Sequence, residues 1–353
     1  MSRVSSREAY FDNAKFLIGG LVVMGHAIDY IDPPHAFEAF EMACAAFRMP
    51  VFAFLVGYFT QGFLRSHGRA RRLVAKIAIA YLIFLLLYQI LEAVLKDLPF
   101  GYNPLDPYDH LWFLTAMFVW RGVAPLWLQL RHPVAVAVFV SLAAGLVELQ
   151  AFTRIVSMLP FVVLGLVVRR EHLEPLRRRG VRVAAGVVLA AEFAAFLVLL
   201  PDYISGKGVL YNAFANSYAG SELSAPVGMG VRAFFVVTAL VAGAAVLSLV
   251  PTREGLVSRL GGRSLYMYVL HYGVIQVAVR LGWFDLLPQG LAGALIVVVL
   301  AFALGAVLCS PPVAKVFHRL MEPPTSWLFA RPAPKPEPAA PVDDERRTAG
   351  EGR

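Results

Sequence analysis

Apolar residues run through this chain in long blocks separated by short polar connectors. Ten blocks can be marked, at about 14–31, 43–64, 74–95, 110–130, 133–150, 155–168, 181–200, 229–250, 264–281 and 290–309. Most approach the roughly 20 residues that a helix needs to cross a hydrocarbon layer. The sixth is short, and 133–168 also reads as one broken span, so the count is firm to about one helix. The pattern predicts an all-α fold, a polytopic transmembrane helical bundle of about ten helices over 14–310. A segment 1–13 precedes it, a juxtamembrane segment 311–330 follows, and the Pro-, Ala- and charge-rich stretch 331–353 reads as a disordered tail.

The basic residues sort by connector. Alternate connectors, together with both ends of the chain, hold 24 lysines and arginines against five in the other set. Positive charge marks cytoplasmic loops, which predicts an integral membrane protein with both termini cytoplasmic. The first block resembles a signal peptide, with Ala43-Cys44-Ala45 beyond it. Asp29, Asp32, Glu38 and Glu41 intervene, so a retained first helix is expected.

Composition agrees with a lipid environment. Of 353 residues, 58% are hydrophobic and only 16% charged, where a soluble domain carries about a quarter charged. The net charge of +8 does not indicate nucleic-acid binding, because the basic residues sit in short connectors between apolar blocks. Cys44 and Cys309 are the only cysteines, so neither a disulfide framework nor a paired-cysteine metal motif is indicated. No metal and no bound cofactor are expected.

Ionisable groups inside apolar blocks are expensive and point to function. Asp12-Asn13-Ala14-Lys15 opens the first block, and ten uncharged residues separate Lys15 from His26. In a helix the two share one face within about 20° but lie about 16 Å apart along the axis. Arg48 follows in Phe47-Arg48-Met49-Pro50, ahead of Gly57-Tyr58-Phe59, with Glu38 or Glu41 as its expected partner. His110-Leu111-Trp112 stands where the fourth block begins. Tyr268 and His271 share a face in the stretch Arg263 to His271, where the ninth block begins. Glu192, flanked by apolar residues, needs a partner that the sequence does not name. The connector 201–228, with Tyr203, Tyr211, Asn212, Phe214, Asn216 and Tyr218, suits sugar stacking or an interfacial aromatic belt.

The stretches Asp12 to His26, Phe47 to Phe59, His110 to Leu114 and Arg263 to His271, in this order, resemble the acyltransferase-3 family of integral membrane O-acyltransferases, over about residues 8–310. The Asp-Asn-x-Lys opening is most similar to the branch related to fucose 4-O-acetylases. The family hallmark is a basic residue, usually arginine, ten positions and a histidine. Lys15 keeps the charge of that arginine but not its bidentate fork. Val56 stands where a serine commonly precedes the glycine of Gly57-Tyr58-Phe59.

The resemblance implies transfer of an acyl group, acetyl in the first instance, from acyl-CoA to a hydroxyl of a surface or lipid-linked glycan, or of a glycosylated metabolite. Such a reaction needs a base to take the proton of the attacking alcohol. His26 and Lys15 are the expected catalytic residues, His26 as base and Lys15 as donor-side cation. Asp12, Asn13, Tyr268 and His271 are expected to line the donor side or the pore, and Arg48, His110 and Trp112 the acceptor side. Asp29, three residues after His26, either orients the imidazole or is a solvated residue at the outer end. The rival from a different class is a proton-coupled transporter or flippase of an envelope precursor, using His26, Lys15 and Glu192. A non-catalytic role in envelope assembly is a third.

Overall fold

A computed structural model of the chain describes residues 6–329, apart from 66–67, 97–98, 106, 108, 149–150, 204–213 and 325–327. The tail expected to be disordered, 331–353, lies outside the described residues, as do Tyr211 and Asn212. Among the described residues the secondary structure is helical and no strand forms.

Helix α1 spans Ser6–Ala27. It begins about two turns ahead of its apolar block, because Tyr10 and Phe11 are already buried beside the polar positions that interrupt the run. It ends earlier too, passing into a 3-10 turn at Ile28–Tyr30. Pro33 and Pro34 then stop any helix from continuing. The acidic connector expected at 32–42 shrinks accordingly, since α2 covers His35–Leu64 with Pro50 inside it.

The remaining helices are α3 Arg69–Lys96, α4 Trp112–Trp127, α5 Pro133–Ala143, α6 Ala151–Ser157 and α7 Leu159–Val167. They continue as α8 Arg179–Tyr203, α9 Ala225–Leu249, α10 Leu256–Gly261, α11 Ser264–Arg280, α12 Gly290–Leu308 and α13 Pro311–Met321. The block expected at 155–168 is two short helices, because Pro160 at the start of α7 resets the chain after α6. Every apolar block thus contains helix, yet among the described residues five helices are long and apolar enough to cross a membrane: α2, α3, α8 over 179–198, α9 and α12. A bent pair, Phe152–Val167 with Arg170–Arg177 at 110°, makes a sixth if it is one span. Helices α4 and α11 have 16 and 17 residues, and α1 carries Asp12, Asn13, Lys15 and His26. Shorter or more polar, these three do not meet that standard alone.

The described residues up to Pro323 fall in one compact unit, within which α1 packs against α2, α10, α11 and α12. Two close approaches depend on glycine. A Cβ on Gly57 of α2 would run into the carbonyl of Val162, and one on Gly165 of α7 into the carbonyl of Phe54. Bare backbone on both sides lets α2 and α7 touch main chain to main chain. Side chains hold the end of α1: Gln276 of α11 donates to the Tyr30 hydroxyl at 2.8 Å, and Gln289 accepts from the Asp32 N–H at 2.9 Å.

Candidate functional site

The last turn of α1 presents His26, half-buried, to a cavity of about 330 Å³. Arg48 enters the same cavity from α2. It packs so closely on Gly25 that a methyl there would meet the guanidinium, whose Cζ and Nη2 would stand 2.7 Å from it. Glycine before His26 is therefore a space requirement. Arg48 Nη1 donates to Glu41 Oε1 at 2.7 Å, and the Glu41 side chain is only 3% exposed. Of the two partners expected for Arg48, the structure selects Glu41, two helical turns away on the same face. Pro50, also on the wall, cannot donate to the Ala46 carbonyl beside it.

His110, Trp112, Arg154 and Tyr268 complete much of the opposite wall. The Tyr268 hydroxyl donates a short bond to the His110 carbonyl, tying α11 to the turn that precedes α4. The His110 ring is buried, stacks on Tyr272 at 4.8 Å between centroids, and donates from Nε2 to the Val269 carbonyl at 3.3 Å. Arg154 lies over the Trp112 ring, 5.4 Å from its centroid. Asp29, exposed, lies on the cavity rim.

His271 sits just behind this wall, fully buried. Its ring centroid is 5.3 Å from that of His26 and 5.4 Å from that of His110. Its Nδ1 faces two carbonyls, Met267 at 3.0 Å and Tyr268 at 2.8 Å. Carbonyls only accept, so Nδ1 carries the proton and Nε2 keeps the lone pair.

Tyr268, expected on the donor side or in the pore lining, shares one cavity with His26 and with Arg48, His110 and Trp112, expected on the acceptor side, and His271 stands behind its wall. The remaining donor-side residues lie elsewhere. Lys15 lies mid-helix in α1, about 16 Å along its axis from His26, and does not line the cavity. It pairs with Asp12 at 2.5 Å and lies over the Phe59 ring at 5.2 Å. Asn13 is used structurally: its amide donates to the carbonyls of Pro251 and Arg253 at 2.9 and 3.0 Å, fastening α1 to the connector between α9 and α10.

The connector 201–228, in the part described, also divides its labour differently from the sequence reading. Phe214 reaches the cavity wall, whereas Tyr218 is an anchor. Its hydroxyl donates to the Leu142 carbonyl at 2.7 Å, and its N–H to that of Gly145 at 2.7 Å. Gly145 and Gly228 flank the ring so closely that a Cβ on either would strike it. Arg232 covers the ring at 4.8 Å and donates to the Ser141 and Asn216 carbonyls at 2.9 and 2.8 Å. Burial pushes the Tyr218 phenol pKa up, with the Arg232 guanidinium pulling the other way.

Three contributors were not singled out from the sequence: Tyr88, Tyr272 and Arg154. The Tyr88 hydroxyl donates to the Val269 carbonyl at 2.7 Å and accepts from the Gly273 N–H at 3.0 Å, so it bridges one rung of α11. Tyr272 packs edge-on against His26 at 5.4 Å. A tyrosine beside a buried histidine was the available signal for Tyr272. Arg154, inside an apolar stretch, was the signal for itself. Glu192 is placed apart, in an apolar groove of about 360 Å³ between α8 and α9.

Among the described residues no group of three or more His, Cys, Asp or Glu is arranged to hold a metal ion. What the cavity offers is an imidazole, a carboxylate-paired guanidinium and aromatic walls, a set suited to proton transfer and to stabilising developing negative charge. No curated protein and no solved structure matches the chain. Residues 8–310, however, match the family profile described as an acyltransferase domain, Acyl_transf_3, and span the cavity and every helix that builds it. The chain belongs to this family of membrane-type acyltransferases.

Proposed function

We propose that the protein is an O-acyltransferase, of the branch related to fucose 4-O-acetylases. It moves an acetyl group from acyl-CoA to a hydroxyl of a surface or lipid-linked glycan, or of a glycosylated metabolite, in a bacterial plasma membrane with both termini cytoplasmic. The observation that carries this reading is the meeting of His26, Arg48 with Glu41, and Trp112 in one cavity. The acceptor oxygen attacks the thioester carbonyl carbon while His26 takes the hydroxyl proton. Arg48, beside His26 and held by Glu41, supplies fixed positive charge for the oxygen of the tetrahedral intermediate. The carbon–sulfur bond then breaks and the proton on His26 passes to the departing thiolate. Lys15 serves the phosphates of an extended donor, in competition with its ion pair to Asp12. Trp112 and Phe214 offer aromatic faces to a sugar.

The test is mass spectrometry of surface glycans and glycolipids from wild type, a deletion strain and His26→Ala, with expression and membrane insertion checked alongside. Loss of one acyl group in both mutants, with the glycan still present, is the expected result. Disappearance of the glycan from the surface, with acylation intact on its intracellular precursor, would support transport instead. Wild-type acylation in His26→Ala removes His26 from the chemistry.

A further inference from the structure

We infer that His271 is the positioning residue of His26: its Nε2 accepts the hydrogen bond of the His26 N–H that faces away from the substrate. This rests on the reading of His26 as the base. Two imidazoles joined by one N–H···N bond have centres about 5 Å apart, being a bond of about 2.9 Å plus about 1.1 Å inside each ring. The His26 and His271 centroids are 5.3 Å apart.

The tautomers then select the partner. Two main-chain carbonyls hold the proton of His271 on Nδ1. Nε2 is left as a buried acceptor that makes no hydrogen bond in this structure, to His26 or any other described group, so the bond closes when the His26 ring turns its N–H onto it. An unfilled acceptor at such a site is costly. His110, the other imidazole within reach, directs its Nε2–H at the Val269 carbonyl. Its remaining nitrogen in the neutral ring is a lone pair, which cannot donate. His26 is the neighbouring imidazole able to supply the N–H.

The consequence is chemical. While His26 is neutral, this bond keeps its bare nitrogen turned to the cavity, ready to take the hydroxyl proton. Once His26 carries two protons, the same bond becomes charge-assisted and strengthens when charge develops. A bond of that kind corresponds to a rate factor of about 10- to 150-fold. Asp29, on the cavity rim, is the competing acceptor.

The experiment uses the full-length protein in membrane vesicles, measuring transfer from radiolabelled acetyl-coenzyme A to endogenous glycan. His271→Phe fills the site without an acceptor and is expected to lower transfer by about 10- to 150-fold. His271→Gln, whose amide oxygen falls near the place of Nε2, is expected to retain most of it. His271→Phe should cost nothing further in a His26→Ala background. Nitrogen-15 spectra of histidine-labelled protein in nanodiscs are expected to show His271 protonated on Nδ1, a readout that holds even if His271→Phe fails to fold. A His271 proton on Nε2, equal losses in the Phe and Gln variants, or additive losses in the double variant would overturn the assignment. So would a loss confined to Asp29→Asn. Full transfer by His26→Ala instead sinks the base assignment itself, which separates the two failures.

Discussion

Adding one methyl at Gly25 isolates what the placement of Arg48 is worth. In Gly25→Ala the new Cβ would lie 2.7 Å from Cζ and Nη2 of Arg48, whereas ordinary contact begins at 3.4 Å. The guanidinium must therefore withdraw by about 0.7 Å or more, and Nη1, nearer still, by more. That same Nη1 makes the 2.7 Å bond to Glu41. An arginine end is flexible, so the bundle survives, and we expect a stability change within about 1 kcal/mol. A displacement on the order of 1 Å at a reacting centre costs about 100-fold in rate. Gly19→Ala on the same helix is the control, because its Cβ would press the terminal methyl of Met267, which can move aside. The assay is coenzyme A release by purified protein, with thermal melting in detergent measured in parallel. We expect turnover to fall by about 10- to 100-fold in Gly25→Ala, with both variants melting like wild type. Full turnover in Gly25→Ala, or an equal fall in Gly19→Ala, refutes the link between Arg48 placement and catalysis.

Gly165→Ala drives a methyl into the Phe54 carbonyl, which cannot swing away; a loss of about 2–3 kcal/mol should appear as a lower melting temperature, and unchanged melting would contradict the main-chain packing. Tyr218→Leu removes the bond to Leu142 and the face under Arg232, so the Phe214 wall loosens. The acceptor KM should rise by about tenfold with the donor KM unchanged, and a parallel rise in both would count against this placement. Lys15→Met should raise the donor KM by about tenfold with kcat retained; a fall in kcat at constant donor KM would move Lys15 into the chemistry.

The helical bundle was legible because each apolar block is long enough to demand burial, and charged residues inside such blocks stand out. That is why His26, Arg48 and His271 could be picked from the sequence. Their meeting was not legible, because it is made by packing between distant segments. Tyr268 reaches the carbonyl of His110 across 158 positions of chain, and no local pattern encodes that. Helix ends were misjudged where amphipathic turns precede the apolar run, as at Ser6 and His35. Gly25 drew attention only as a neighbour of His26, since the need for a missing side chain becomes visible when Arg48 arrives beside it. Tyr218 read as a sugar-stacking or belt aromatic because its anchors, Leu142 and Arg232, lie in other helices. Asn13 looked like a lining group because the carbonyls it holds follow more than 230 residues later.

The reciprocal glycine contact between α2 and α7 bears on how the cavity admits its substrates. Each helix there rests directly on a carbonyl of the other, with no side chain between them to change rotamer and absorb a shift. The pair behaves as a fixed rail, and Arg48, Glu41 and Pro50 ride on it. The facing wall is joined by softer parts: the Tyr268 phenol, the Tyr88 hydroxyl set into a rung of α11, and stacked rings. Opening and closing then belong to α11 and the turn before α4. A disulfide engineered across α2 and α7 should leave turnover intact, while one that locks α11 to α2 should stop it.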